Sequence, residues 1–236
     1  MQSKLKSLMA TGLLTLATGN AVAQDVNISI TNLTQGIYFT PLLVAAHSGD
    51  ASLYTVGTTA SEQLQAMAEG GDISGLASVL ESVNADMVAN PAEGLLGPSA
   101  STSTMLTTAD GNMYLSITGM MLPTNDGFVG LDSWMIPTEA GTYTIYLNAY
   151  DAGTEANDEL IVAGAGGAPG TPGIPAAPGG DAGTGGSGVT STETNMTVHV
   201  HRGALGDDNA EGGASDLDNR VHRWLNPVAK VTVTVQ

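Results

Sequence analysis

The sequence predicts a mainly β protein, an antiparallel β-sandwich with two short helices and a long Gly/Pro-rich loop. Short runs that alternate apolar and polar residues recur along the chain, with turn residues between them. Only one region, near residues 60–83, changes to the helical period. Strands and helices do not alternate, so parallel βαβ units are not expected.

The chain opens with Lys4 and Lys6, an apolar run "LMATGLLTLATG", and small residues at Ala21 and Ala23. That pattern is a secretory signal peptide over residues 1–23, with cleavage after Ala23. The apolar run is too short to cross a bilayer. No later segment reaches about 18 uninterrupted apolar residues, so no membrane span is expected. The product is secreted or periplasmic. It has no cysteine, which excludes disulfides, thiolate catalysis and cysteine metal sites and fits a bacterial envelope protein.

Residues "DVNISI" alternate from Val26 to Ile30 as a strand, and "NLTQG" is a turn. "IYFTPLLVAAH" is extended, and Pro41 within it implies an edge strand or a bulge, because proline donates nothing to a ladder. "SEQLQAMAEGG" is a helix capped by Ser61 and stopped by Gly70 and Gly71. "DISGLASVLESV" is a second helix, with Asp72 as its cap. Both lie over an end or face of a sheet. "NPAEGLLGPSASTST" reads as a loop.

"NMYLSITGMML", "VGLDSWMI" and "TYTIYLNAY" are strands separated by the turns "PTNDGF" and "PTEAG". Residues 163–192 are Gly/Pro/Ala-rich and read as a flexible loop that cannot bury a core. "NMTVHVH" and "NPVAKVTVTVQ" supply the last strands. The mature chain, residues 24–236, is expected to form one domain.

Without Lys4 and Lys6, four basic residues face 23 acidic ones. Such a surface repels nucleic acid and anionic lipid. Two acidic loops stand at strand ends: "PTNDGFVGLDS", with Asn125, Asp126 and Asp132, and "YDAGTEANDE", with Asp151, Glu155, Asp158 and Glu159. Loops that meet at one end of a sandwich would form an oxygen-rich site, and calcium takes six to eight oxygen ligands. The same residue types are also ordinary turn formers. On composition, Asp158 and Glu159 read as solvated charges, and so does the acidic "GDDNAEGGASDLDN". The alternating His199 and His201 could bind zinc, but no third ligand is identifiable, and structural roles suit them better. No nucleophile elbow or P-loop is present.

Several segments, in order, resemble the spondin domain family: "ITNLTQGIYFTPLLVAAH", "ASEQLQAMAEGGD", "GPSAS", "LSITGMMLPTNDGFVGLDS", "AYDAGTEANDE" and "RWLNPVAKVTV". The similarity is to its secreted bacterial branch and covers about residues 25–236. It implies a C2-like sandwich with calcium at one end and a non-enzymatic role in extracellular recognition or adhesion. By that resemblance Asp126 and Asp151 match metal ligands. Animal relatives usually carry Trp at the position of Gly127. The family's third ligand, a glutamate, falls in register on Thr107. Asp110 is the nearest acid, and Glu155 is the other candidate. The expected cofactor is Ca2+ and the expected partner an extracellular protein or glycan. Two alternatives are a carbohydrate- or polymer-binding module using Tyr150, Trp134 and Trp224, and a metal-dependent hydrolase in which Asp126, Asp151 and His201 converge on an open site.

Overall fold

A computed structural model of the chain describes residues 23–162, 167–178 and 183–236. The expected signal peptide lies outside the described residues, apart from Ala23. The elements are β1 (Asp25–Asn32), β2 (Tyr38–Phe39), β3 (Leu43–His47), α1 (Glu62–Gly70), α2 (Ser74–Ser82), β4 (Asp86–Ala89), β5 (Ser101–Thr107), β6 (Tyr114–Leu122), β7 (Gly127–Met135), β8 (Gly141–Asp151), β9 (His199–Val200) and β10 (Ala229–Val235). No helix among the described residues is long and apolar enough to cross a membrane.

The strands are antiparallel and run in the order β4-β3-β6-β7-β8-β10-β1-β5, with β2 also beside β6 and β9 beside β8. The long β8 belongs to two layers. Its first part, Gly141 to Leu147, pairs with β10, and its last part, Asn148 to Asp151, pairs with β7. The sheet folds over along this strand, so Ile28, Leu147 and Val231 share one core with Val44, Ile117 and Val129. The two ends of the path also meet, where the Thr102 hydroxyl donates to the Pro91 carbonyl at 2.8 Å. The expected sandwich is therefore one nearly closed sheet.

Alternation explains the outer layer. Val26, Ile28 and Ile30 of β1 face inward and register against Val235, Val233 and Val231 of β10. Each such buried side chain stabilises by about 1.5–3 kcal/mol. β3 is buried on both faces. Val44 and Ala46 enter the sandwich core, while Leu43 and Ala45 meet Leu64 and Met67 of α1 and Leu76 and Leu80 of α2. The helices therefore form a third layer. Ser61 caps α1 by accepting the Leu64 amide at 3.1 Å, and Gly71 ends it at φ 73°. Asp72 accepts the Ser74 amide at 2.9 Å, although the cap position itself is Ile73.

Pro41 marks a bulge rather than an edge: Thr40, Pro41 and Leu42 stand opposite only Gly119 and Met120 of β6, between the pairs Phe39–Met121 and Leu43–Thr118, and β3 lies between β4 and β6. Three expectations are corrected. The segment "STSTMLT", partly read as loop, is β5, whose hydroxyl-rich face points to solvent with only Leu106 buried. The Gly/Pro/Ala tract does contribute to the interior among its described residues: Ile174 is fully buried and forms a parallel bridge with Ile161. The late acidic loop is also partly internal, with Ser215, Asp216 and Leu217 all buried.

Candidate functional site

Asp126 stands just before β7, and Asp151 is the last residue of β8. Their strands register Gly127 opposite Asp151, so the two acidic loops emerge at the same end of the sheet. On the other side of β8, His199 of β9 lies opposite Asp151. The Ala152 amide donates to the Asp126 carbonyl at 3.2 Å and ties the loops through the main chain.

The loop after Asp151 wraps around the Asp126 carboxylate. Asp126 Oδ2 accepts the Thr154 amide at 2.8 Å, the Thr154 hydroxyl at 3.2 Å and the Glu155 amide at 3.1 Å. Successive main-chain amides of this kind form an anion-binding concavity. Gly153 is needed for the wrap: its φ is +70°, and a Cβ there would stand 2.7 Å from the Asn195 carbonyl and the Thr197 backbone. Asp151 Oδ1 accepts the Gly153 amide at 2.8 Å, and Oδ2 accepts the Asn157 side chain at 2.6 Å. Glu155 Oε2 takes the Gly173 amide of the glycine tract at 3.0 Å.

Asp126, Asp151 and Glu155 are all buried. Two of their oxygens, Asp126 Oδ1 and Glu155 Oε1, have no hydrogen-bond partner. Burial, and next the Asp151 charge, push the Asp126 carboxyl well above the usual carboxylate range, against the pull of the Thr154 and Glu155 amides. Burial also raises Asp151, opposed by Asn157 and His199. Glu155 is pushed up to about 8, by burial first; the Gly173 amide opposes this, and the Glu69 and Asp126 charges add to it. The site is a crowded set of acids with no Lys or Arg ion pair to relieve it among the described residues.

The histidines complete the rim. His201 Nδ1 accepts the Gly203 amide at 3.0 Å, so the neutral ring carries its proton on Nε2. That Nε2 is buried, has no hydrogen-bond partner, and lies 4.0 Å from Asp151 Oδ2. Burial pushes His201 down to about 3, helped by Arg202 and His199. A protonated Nε2 is a poor metal ligand, which argues against a His-x-His zinc site. His199 Nε2 lies 3.8 Å from the same oxygen. The space that a side chain at Gly127 would need is already occupied: its Cβ would meet Thr124 Oγ1 at 2.7 Å and His201 Cδ2 at 3.1 Å.

Of the four acids singled out from the sequence, the structure brings Asp126, Asp151 and Glu155 together. It leaves Asp110 apart. Asp110 is exposed in the turn before β6, whereas Asp126 follows the far end of that strand. Nine strand residues span roughly 30 Å. Asp132 is also elsewhere, accepting the Leu53 amide and the Ser52 hydroxyl. Asp158 and Glu159 are not free charges. Asp158 accepts the Asn125 side-chain Nδ2 at 2.8 Å, and buried Glu159 accepts Leu205 N, Gly206 N and Ser215 Oγ. Sequence reading missed Thr154 and Asn157, because donors to a carboxylate carry no pattern of their own.

Among the described residues, no three His, Asp or Glu side chains form a ready-made metal cluster. The donor chemistry still fits a hard cation in part, because two buried carboxylate oxygens lack partners and a third carboxylate adjoins them.

A nearly closed antiparallel sheet with two acidic loops locked at one end defines a β-sandwich domain. The Spondin_N family model matches residues 31–160, which is 130 of the 236 residues. The chain belongs to the Spondin_N family, a family of extracellular type. The match contains both acidic loops and ends before the glycine tract. No curated protein matches the chain.

Proposed function

We propose that this is an exported, non-enzymatic domain that binds one calcium ion between Asp126 and Asp151 and serves in recognition or adhesion outside the cytoplasm. The observation that carries the reading is the unpartnered, buried Asp126 Oδ1 beside a second buried carboxylate. A cation there would offset the burial that raises both acids and the Asp151 charge that adds to the rise of Asp126. Glu155 Oε1 is a further oxygen within the cluster. Carbonyls and water would complete the six to eight ligands. Binding would stabilise the fold by about 2.7 kcal/mol at a hundredfold excess over Kd. Thermal melts in calcium and in chelator test this. An unchanged midpoint, in the wild type as in Asp126→Ala, would reject it.

A carbohydrate- or polymer-binding role is the second reading. Tyr150 shares an open groove of about 370 Å³ with Tyr54 and Tyr146, and Tyr146 is exposed. A glycan array with wild type and Tyr146→Ala separates the two. Hydrolysis has less support: Asp126, Asp151 and His201 do approach one another, but all three are buried rather than set around an open cleft.

A further inference from the structure

Beyond the acidic loops, the chain segments 202–205 and 223–225 frame a surface groove of about 620 Å³. Its composition is unlike the rest of the molecule. Leu225 is 89% exposed and Leu205 47% exposed, and the largely buried Trp224 also lines the groove. Contiguous exposed apolar surface of this kind marks interaction sites. Four Lys and Arg residues stand among the described residues: Arg202, Arg220, Arg223 and Lys230. Two of them, Arg202 and Arg223, line this groove.

Arg220 is paired with Asp218 at 2.7 Å, whereas Arg202 and Arg223 make no ion pair among the described residues. In a chain with 23 Asp and Glu, two arginines without a carboxylate partner are chemically conspicuous. Each is anchored by a single N–H on a backbone carbonyl. Arg202 Nη2 donates to Asn157 at 2.9 Å, and Arg223 Nε donates to Leu205. Those bonds orient each guanidinium and leave its remaining N–H groups unused. A guanidinium fork matches a carboxylate bidentately.

We infer that this groove docks an acidic peptide segment of a partner protein, with carboxylates on Arg202 and Arg223 and apolar side chains against Leu205, Trp224 and Leu225. Charge complementarity selects this occupant. A short segment sets its carboxylates on the two arginines alone, whereas an anionic membrane would also face the acidic body around the groove, and a purely polar polyanion would leave both leucines uncovered. The groove also adjoins the acidic loops. Arg202 holds the Asn157 carbonyl, while the Asn157 side chain holds Asp151. Trp224 packs on His201 with ring centroids 5.1 Å apart. The inference rests on the recognition part of the reading above and is independent of calcium.

The test uses the full mature chain and a short fluorescein-labelled peptide with leucines set between glutamates, read by fluorescence anisotropy. Control peptides replace glutamate by lysine, or leucine by serine. Phosphatidylglycerol vesicles and sedimentation of the chain alone form two further arms. Binding of the Glu/Leu peptide is expected, weakened by roughly tenfold or more in Arg202→Gln/Arg223→Gln and also weakened in Leu225→Ser. Arg220→Gln, at the paired arginine, should bind as wild type. Equal binding by the double variant, equal binding of the serine peptide, vesicle binding in place of peptide binding, or self-association through Leu225 overturns the inference. Unchanged melting of the variants shows that they fold. The calcium melts are read separately, so failure of one proposal leaves the other standing.

Discussion

The main chain of Asp126 accepts the Ala152 amide at 3.2 Å, while the Asp126 side chain accepts the amides of Thr154 and Glu155. One residue is thus gripped twice by the loop that follows Asp151. The loops are locked together by peptide groups, although their carboxylates repel.

That repulsion predicts the effect of neutralising one partner. In Asp126→Asn the amide oxygen can keep the bonds to Thr154 and Glu155, and the new N–H₂ fills the place of the orphan oxygen. The cation-free protein is expected to gain on the order of 1–2 kcal/mol, and the response to calcium should vanish. Denaturant titrations in chelator and in calcium measure both. A less stable cation-free variant would contradict the prediction.

The direction of the pH dependence follows from the same acids. Glu155 is raised from 4.5 to about 8 in the folded chain, and Asp126 and Asp151 are raised too. A raised acid binds its proton more tightly when folded. Its contribution is complete below the unfolded value and is lost as pH rises through the folded one. In chelator, stability should therefore fall between about pH 4.5 and 8. Calcium binds the ionised acids, so its stabilising effect should grow over that window. Asp216 behaves oppositely. Burial would raise it, but the amides of Gly186, Ile161 and Thr184 win and hold it low. Its contribution disappears only as pH falls below 3.8. Melting midpoints across pH, with and without calcium, give the signs.

Gly173→Ala should destabilise the fold by about 1–3 kcal/mol. Its φ is +112°, and a Cβ there would strike Val162 Cγ2. The same change disturbs the amide that holds Glu155. Equilibrium unfolding by urea is the measurement, and a neutral result would mean that the tract does not grip Glu155.

Glu159→Gln should cost about 2–3 kcal/mol. The carboxylate accepts Leu205 N at 2.6 Å, Gly206 N at 2.8 Å and Ser215 Oγ at 2.6 Å. A glutamine must turn a donor toward at least one of those donors. Loss of amide protection at Leu205 and Gly206 in hydrogen exchange would accompany the loss of stability.

Much of the sheet could be read directly. The alternation of β1 and β10 and the turn residues around β6, β7 and β8 report burial on one face, which is a property of local sequence. β5 was hidden because its Ser and Thr residues face solvent, and a hydroxyl-rich strand resembles a loop. The pair Asp126 and Asp151 was legible because each ends a recognisable strand. Asp110 was misplaced for the converse reason: proximity along the chain says nothing about which end of β6 a residue occupies. Glu159 looked like one more surface charge, because its partners lie 46 to 56 residues downstream.

The glycine tract holds Glu69 through Gly170, Glu155 through Gly173, and Asp216 through Thr184 and Gly186, each time by a backbone N–H. A peptide hydrogen is the same whichever residue carries it. The tract's grip therefore asks for a free N–H rather than for any side-chain group, on a backbone that takes positive φ at Gly170 and Gly173. Proline would remove the N–H at those positions, and the prolines of this segment, Pro169, Pro172, Pro175 and Pro178, all stand outside its handholds.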